Sequence, residues 1–175
     1  YNFILKDYDE INRILDITTK EFFTNVQVYI PKSYYQAMVS IGLGAKNDSK
    51  KYFNNTISHL KNKINEYPDD PRFYSTLGLT YARLGKNKDA IKAGLKAVDI
   101  LPVSDDAMFG TIYEKSLAEI YSITGENNKA LEKIEYLSLI PNGFHYGELL
   151  SNPDFDSIRD EPRFQRVLNN LKPKS

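Results

Sequence analysis

Residues 71–102, PRFYSTLGLTYARLGKNKDAIKAGLKAVDILP, decide how the rest of the chain is read. Leu77 and Gly78 are followed by Tyr81, Gly85, Ala90, Ala97 and Pro102. That spacing, broken at Gly85-Lys86-Asn87, predicts two antiparallel helices. Gly78 and Ala90, one on each helix, are small enough for the two backbones to approach closely. Tyr81 lies one turn beyond Gly78 on the same face and fills the wedge beside that contact. Pro102 ends the second helix.

A single helix pair cannot bury its apolar face, so further copies are expected. Leu117, Ala118, Tyr121, Gly125 and Ala130 repeat the pattern 40 residues downstream of Gly85 and its neighbours. Ala37, Gly44, Ser49 and Phe53 repeat it more weakly 41 residues upstream. Between Thr56 and Gly78 the extra length reads as a longer helix ending near Glu66-Tyr67-Pro68. Between Ala97 and Ala118 it reads as a loop, 102–106.

The pattern resembles the tetratricopeptide repeat, a helix–turn–helix unit of about 34 residues. Leu77, Gly78, Tyr81, Gly85, Ala90, Ala97 and Pro102 occupy the motif's positions, and Gly94 departs from it where an aromatic is usual. Over roughly residues 71–171 there is a second resemblance. AIKAGLKAVDILPVSDDAMFG, LAEIYSITGENNKALEKIEYLSLIP and LLSNPDFDSIRDEPRFQRVLNNL are similar to the C-terminal repeat region of multidomain bacterial signalling proteins. Those proteins carry an adenylate or guanylate cyclase, a serine/threonine kinase or a DNA-binding regulator, often with a TolB-like segment. The tail phrase, with Asp154-Phe155-Asp156, Arg159-Asp160 and Pro162-Arg163-Phe164, is the most specific part. The resemblance implies an appended interaction or sensory region and not a catalytic one; no cyclase, kinase or DNA-binding motif occurs in the chain.

Composition narrows the function classes. The chain of 175 residues suits one domain with a proper core. Its 23 basic and 23 acidic residues cancel, which gives no general pull toward nucleic acid or anionic lipid. Thirteen tyrosines and nine phenylalanines without a basic surface read as wedges between helices, not as a base-stacking platform. With no cysteine there is neither disulfide nor thiolate metal site, and the compartment stays open, the cytoplasm favoured over the periplasm. The longest uncharged stretch, Ser33 to Ala45, is too short to span a bilayer, so no membrane insertion is expected of this segment. The chain starts at Tyr1 and reads as a piece of a larger protein.

Outward from the central pair, residues 1–30 are expected to hold the second helix of an earlier repeat, Asp7 to Phe23, and an extended connector or a fraying helix end. In the connector Val26, Val28 and Ile30 alternate with polar or aromatic residues. Residues 31–68 form the first full repeat, its first helix capped by Ser33 and its second opened by Asn47-Asp48-Ser49. Residues 71–102 are the second repeat, and 107–141 the third, with its first helix from about Ala107 to Thr124. Residues 144–175 close the chain. There, Phe164, Val167, Leu168 and Leu171 mark one face of a last helix, capped by Asp160-Glu161-Pro162, that covers the apolar end.

No chemistry-bearing motif survives scrutiny. Gly42-Leu43-Gly44-Ala45-Lys46 lacks the Walker spacing and sits in a helical pattern, and Gly85-Lys86 fails because Thr80 stands where the first glycine belongs. His59 and His145 have no local set of metal-ligand spacing, His59 reading as a helix-surface residue and His145 as a turn residue beside the core. Asp154, Asp156 and Asp160 fail the calcium-loop pattern at Ile158 and Arg159 and read as helix caps. No nucleophile–base pair can be placed, so the chain is read as not an enzyme, with no cofactor and no metal.

The fold expected is all-α: an α-solenoid of about three hairpins with a preceding helix and a capping helix. By the resemblance, the first helix of each hairpin lines a concave groove. The groove residues are then Tyr34, Met38 and Ile41 in the first hairpin, Arg72, Ser75, Leu79, Ala82 and Arg83 in the second, and Lys115, Glu119 and Ser122 in the third. The expected function is a protein–protein or peptide-binding module. Its partner segment would be an apolar anchor followed by acidic residues facing Arg72 and Arg83. Leu79 stands where relatives that clamp a C-terminal carboxylate have asparagine, which speaks against that ligand. The alternative is a sensory domain whose small ligand regulates an attached cyclase or kinase.

Overall fold

The computed structural model describes residues 7–173. The described residues are 69% helix and 4% strand, so the all-α class holds. In order, α1 is Tyr8–Ile17, β1 Phe22–Thr24, β2 Tyr29–Pro31, α2 Lys32–Gly42, α3 Lys46–Glu66, α4 Pro71–Arg83 and α5 Asn87–Ile100. Then come α6 Gly110–Ile123, α7 Asn127–Leu137, α8 Tyr146–Ser151, a 3-10 helix Pro153–Ile158 and α9 Pro162–Leu171.

Three tight reversals organise these helices. Gly44, Gly85 and Gly125 follow α2, α4 and α6 with φ of 76°, 71° and 81°, a backbone region that costs glycine nothing. Each completes the same C-terminal cap. Gly85 N–H donates to Ala82 O at 3.0 Å and Lys86 N–H to Tyr81 O at 2.9 Å; Gly125–Ser122 and Glu126–Tyr121 pair the same way, as do Gly44–Ile41 and Ala45–Ser40. These bonds satisfy carbonyls that the helix end would otherwise leave open. They turn the chain back at once, so α2/α3, α4/α5 and α6/α7 pack as hairpins, and α4 also touches α6 in the next one.

Within the central hairpin the backbones do approach at Gly78. A Cβ there would lie 3.1 Å from Ala90 O and 3.1 Å from Gly94 N. Gly94 explains itself here: Ile120 and Leu117 of α6 fill the space its missing side chain leaves, with Cδ1 atoms 2.8 and 3.0 Å from where a Cβ would sit. The aromatic expected at this position is replaced by an aliphatic knob from the next hairpin.

The core runs in two main clusters. One joins Leu60, Phe73, Leu77, Tyr81, Ala90 and Ile120 across α3 to α6. The other joins Leu131, Ile134, Leu137, Phe144, Leu149, Phe155, Ile158, Phe164 and Leu168 at the C-terminal end. Phe155 and Phe164 are fully buried in it, 6.0 Å apart between ring centroids. α9 buries Phe164, Val167 and Leu168 as its spacing predicts and is pinned to α7 by a bidentate Arg163–Glu135 pair at 2.9 and 2.7 Å.

The N-terminal segment differs from expectation. α1 stops at Ile17, and Phe22 and Phe23 belong to a two-stranded antiparallel hairpin with Phe23 opposite Ile30. Val26 is in its turn, where Asn25 Oδ1 accepts from the N–H groups of Gln27 and Val28 at 2.7 and 2.9 Å. This Asx turn, not the valine alternation, sets the register. The helix caps differ as well. Pro31 precedes α2 with no side-chain cap, Ser33 instead bonding Thr56 Oγ1 at 2.8 Å, and Glu161 precedes α9 without a side-chain cap bond. α6 begins at Gly110, three residues later than expected, because Asp106 Oδ1 holds the N–H groups of Met108 and Phe109 in a loop turn.

Candidate functional site

The face expected to form a groove is carried by α2, α4 and α6. Along α4, residues 72, 75, 79 and 83 recur at helical spacing, so they share one side. What lies on that side decides what it can bind.

At one end the β-hairpin covers it. Arg72 makes a bidentate pair with Asp70 and donates from Nη1 to the Asn25 carbonyl at 2.8 Å. Thr76 Oγ1 donates to Tyr29 O at 2.8 Å, and Tyr113 hydroxyl to Gln27 O at 3.4 Å. Beneath the hairpin Tyr29 hydroxyl meets His59 Nε2 at 2.6 Å, so His59 is a partly buried packing residue and not a free surface histidine. Burial and the nearby Lys63 charge push the imidazole below its ordinary range. A depression of about 560 Å³ remains beside Val26, Asp69, Arg72 and Tyr113.

At the other end the chain's own C-terminal segment crosses the face. Asp154 pairs with Arg83, and both are largely buried. Glu148 pairs with Lys115 at 2.9 Å. Asn152 Nδ2 donates to Glu119 Oε1 at 2.7 Å, and Ser122 Oγ donates to the Asp154 carbonyl at 2.6 Å. Asp154 is therefore an ion-pair residue, Asp156 bonds Arg159, and Asn152 rather than an aspartate caps the 3-10 helix. His145 is exposed and caps α8, its Nδ1 accepting from Glu148 N–H at 3.2 Å.

Between α2, the end of α4 and this segment lies a cavity of about 800 Å³. Tyr8, Tyr34, Tyr35 and Met38 form its aromatic and aliphatic side, and Arg83, Glu148, Asn152 and Asp154 its polar side. Burial pushes the Tyr34 hydroxyl up to about 12, so it stays protonated. Arg83 remains charged, because Tyr34 and Asp154 compensate its desolvation. Glu119 behaves differently: burial, reinforced by the Asp154 charge, pushes its carboxyl up to about 8.

Tyr34, Met38 and Arg83 thus meet at one cavity, with Lys115 and Glu119 beside it, both held by the C-terminal segment. Ser75 is buried, Leu79 packs between the clusters around Tyr34 and Leu77, Ala82 is buried, and Ile41 is exposed away from the cavity. Arg72 sits at the opposite end. Neither arginine is available as an uncompensated charge for acidic residues, which corrects that expectation. Residues 145–154 and Tyr8 complete the wall; a pocket closed by the C-terminal tail belongs to the sensory alternative, but local spacing does not say which of the tail's residues reach it.

Among the described residues no group of His, Asp, Glu or Cys is placed to hold a metal ion. No helix of the described residues is long and apolar enough to cross a membrane. No family model, curated protein or solved structure matches the chain.

Proposed function

We propose that the chain is a tetratricopeptide-type repeat module that binds a short segment of a partner protein on the face of α2, α4 and α6. Three glycine reversals about 40 residues apart, each followed by a packed helix partner, support the repeat reading. The observation that carries the function is the convergence of Tyr34, Met38 and Arg83, from two hairpins, on one cavity of about 800 Å³. Its size and its apolar wall with a few fixed polar groups suit an anchor side chain and its neighbours.

Selection from a displayed random-peptide library tests this. Clones that bind wild type and are lost on Met38→Glu or Tyr35→Ala support the reading. Clones that bind all three proteins equally, or no enrichment, count against it.

One observation favours the second reading, a small-ligand sensor controlling an attached cyclase or kinase. Residues 145–154 wall the cavity on one side instead of leaving an open groove. A metabolite library that raises the melting temperature of wild type but not of Met38→Glu, with no peptide enriched, would favour it.

A further inference from the structure

A second surface lies at the opposite end of the α4/α6 face, where Arg72 and Tyr113 sit. There the turn of the β-hairpin, the loop from α3 to α4 and the loop ahead of α6 surround the depression of about 560 Å³. Val26, Tyr67, Leu101 and Phe109 give it an apolar lining, and the buried Tyr113 lies at its floor. Val26 is 73% and Tyr67 59% exposed, and Met108, next to Phe109, is 55% exposed. Single exposed apolar residues are ordinary, but these converge on one concavity. Its rim is fixed before any guest arrives. Pro68 and Pro71 restrict the backbone, Asn25 and Asp106 close their turns, and Asp70 caps α4.

The charges around this depression do not balance. Asp70 holds Arg72 and Glu66 holds Lys63. Asp69 is exposed, and Asp106 accepts from the main-chain N–H groups of Met108 and Phe109. Among the described residues neither is in an ion pair. Burial pushes the Tyr113 hydroxyl up to about 12, with Asp70 and Asp106 adding to the effect against Arg72 alone. The depression is therefore negative, although the chain as a whole is neutral. Nucleic acid and anionic lipid are repelled here, and a neutral apolar guest takes water from Asp69 without replacing it. A guest with an apolar body and positive charge satisfies lining and rim together. Beyond the peptide-binding reading of the other end, we infer that this depression docks a basic stretch of a partner protein. An apolar side chain of that stretch lies against Val26, Tyr67 and Phe109, and its lysine or arginine side chains face Asp69 and Asp106.

Synthetic hexapeptides test this, all built around one leucine–tyrosine pair and otherwise made of lysine, glutamine or glutamate. Fluorescence anisotropy gives their affinities. The protein's two methionines, labelled with carbon-13 at the methyl, give the place: Met108 reports this depression and Met38 the distant cavity. The lysine peptide should bind about tenfold more tightly than the glutamine peptide at low salt, with the glutamate peptide weakest. It should shift the Met108 signal and leave Met38 in place, and added salt should narrow the ratio. Asp69→Lys, in an exposed turn, should lose about fivefold in affinity for the lysine peptide and leave the glutamine peptide unchanged. Val26→Ser should weaken both, while an unmoved Met38 signal reports that the fold persists.

Equal affinity for the lysine and glutamine peptides, tighter binding of the glutamate peptide, or no binding by any of them overturns the inference. Lysine-peptide binding that survives Asp69→Lys, or that shifts Met38 and not Met108, overturns the location. Spermine binding as tightly as the lysine peptide overturns a protein as the source of the charge. The library selection against Met38→Glu judges the other end separately, so either reading can fail alone.

Discussion

Gly94 of α5 and Ile120 of α6 are fitted to each other: the isoleucine's Cδ1 stands 2.8 Å from where a side chain on the glycine would begin. The same Cδ1 is 2.7 Å from the corresponding point on Gly78, so one fully buried methyl group plugs a hollow formed by two glycines on facing helices. The second and third hairpins are joined by this plug.

Enlarging Gly94 to Phe should therefore destabilise the protein by about 1–3 kcal/mol or more, despite the preference for an aromatic there in the resembling repeats. Ile120→Ala should cost about 2–5 kcal/mol by leaving the hollow empty. Gly94→Ala combined with Ile120→Val should cost less than the sum of the two, since the lost methyl makes room for the new one. Urea unfolding of Gly94→Phe, Ile120→Ala, Gly94→Ala, Ile120→Val and the Gly94→Ala/Ile120→Val double variant measures this, and strict additivity of the last pair would refute direct contact.

Arg83 and Asp154 form a largely buried pair between elements far apart in sequence. Removing either partner leaves the other charged, so Arg83→Met and Asp154→Leu should each cost about 3 kcal/mol or more. The double variant should recover much of that loss. A double variant as unstable as the sum of the singles would show that the pair is not what joins α4 to the tail.

Glu119 makes stability fall as pH rises from weakly acid to about 8. Its folded pKa, about 8, lies above the ordinary value of 4.5, so the folded state holds a proton the unfolded chain gives up. The stabilisation from that proton is complete below the ordinary value and is lost as pH rises through about 8. Wild type should melt progressively lower from about pH 4.5 to about pH 8, and Glu119→Gln, which keeps an acceptor for Asn152, should lose this part of the decline. Parallel melting curves for the two proteins across that range would place the proton elsewhere.

Deleting residues 161–175 removes Phe164, Val167 and Leu168 and uncovers Phe155 and Ile158, both fully buried. The truncated chain should melt lower and self-associate in sedimentation. A monomer of unchanged stability would mean that α9 is not needed to cover the C-terminal core.

How much of this could be read from residues alone follows from the range of the interactions. Gly85 and Gly125 announced their reversals because a positive φ is a local demand, and Phe164, Val167, Leu168 and Leu171 announced α9 because helical spacing is local. The Asn25 side chain closes the turn of the β-hairpin, a local signal that the alternation of Val26, Val28 and Ile30 does not contain. The cavity was half foreseen. Tyr34, Met38 and Arg83 were placed on one face, yet their meeting with Glu148 and Asp154 depends on how the tail crosses that face, which no short stretch encodes. The same crossing cancelled the charge of Arg83, and the neighbouring Asp70 cancelled that of Arg72.

Stacked hairpins that touch only their neighbours can fray from either end, one at a time. This chain is tied across that axis. Arg83 reaches Asp154 over 71 positions, Thr76 reaches Tyr29 over 47, and Tyr113 reaches Gln27 over 86. Such cross-ties cannot open singly without releasing hairpins at both ends. Slow amide exchange should therefore converge on one common opening energy from α3 to α7, the signature of a cooperative unit and not of a row of independent ones.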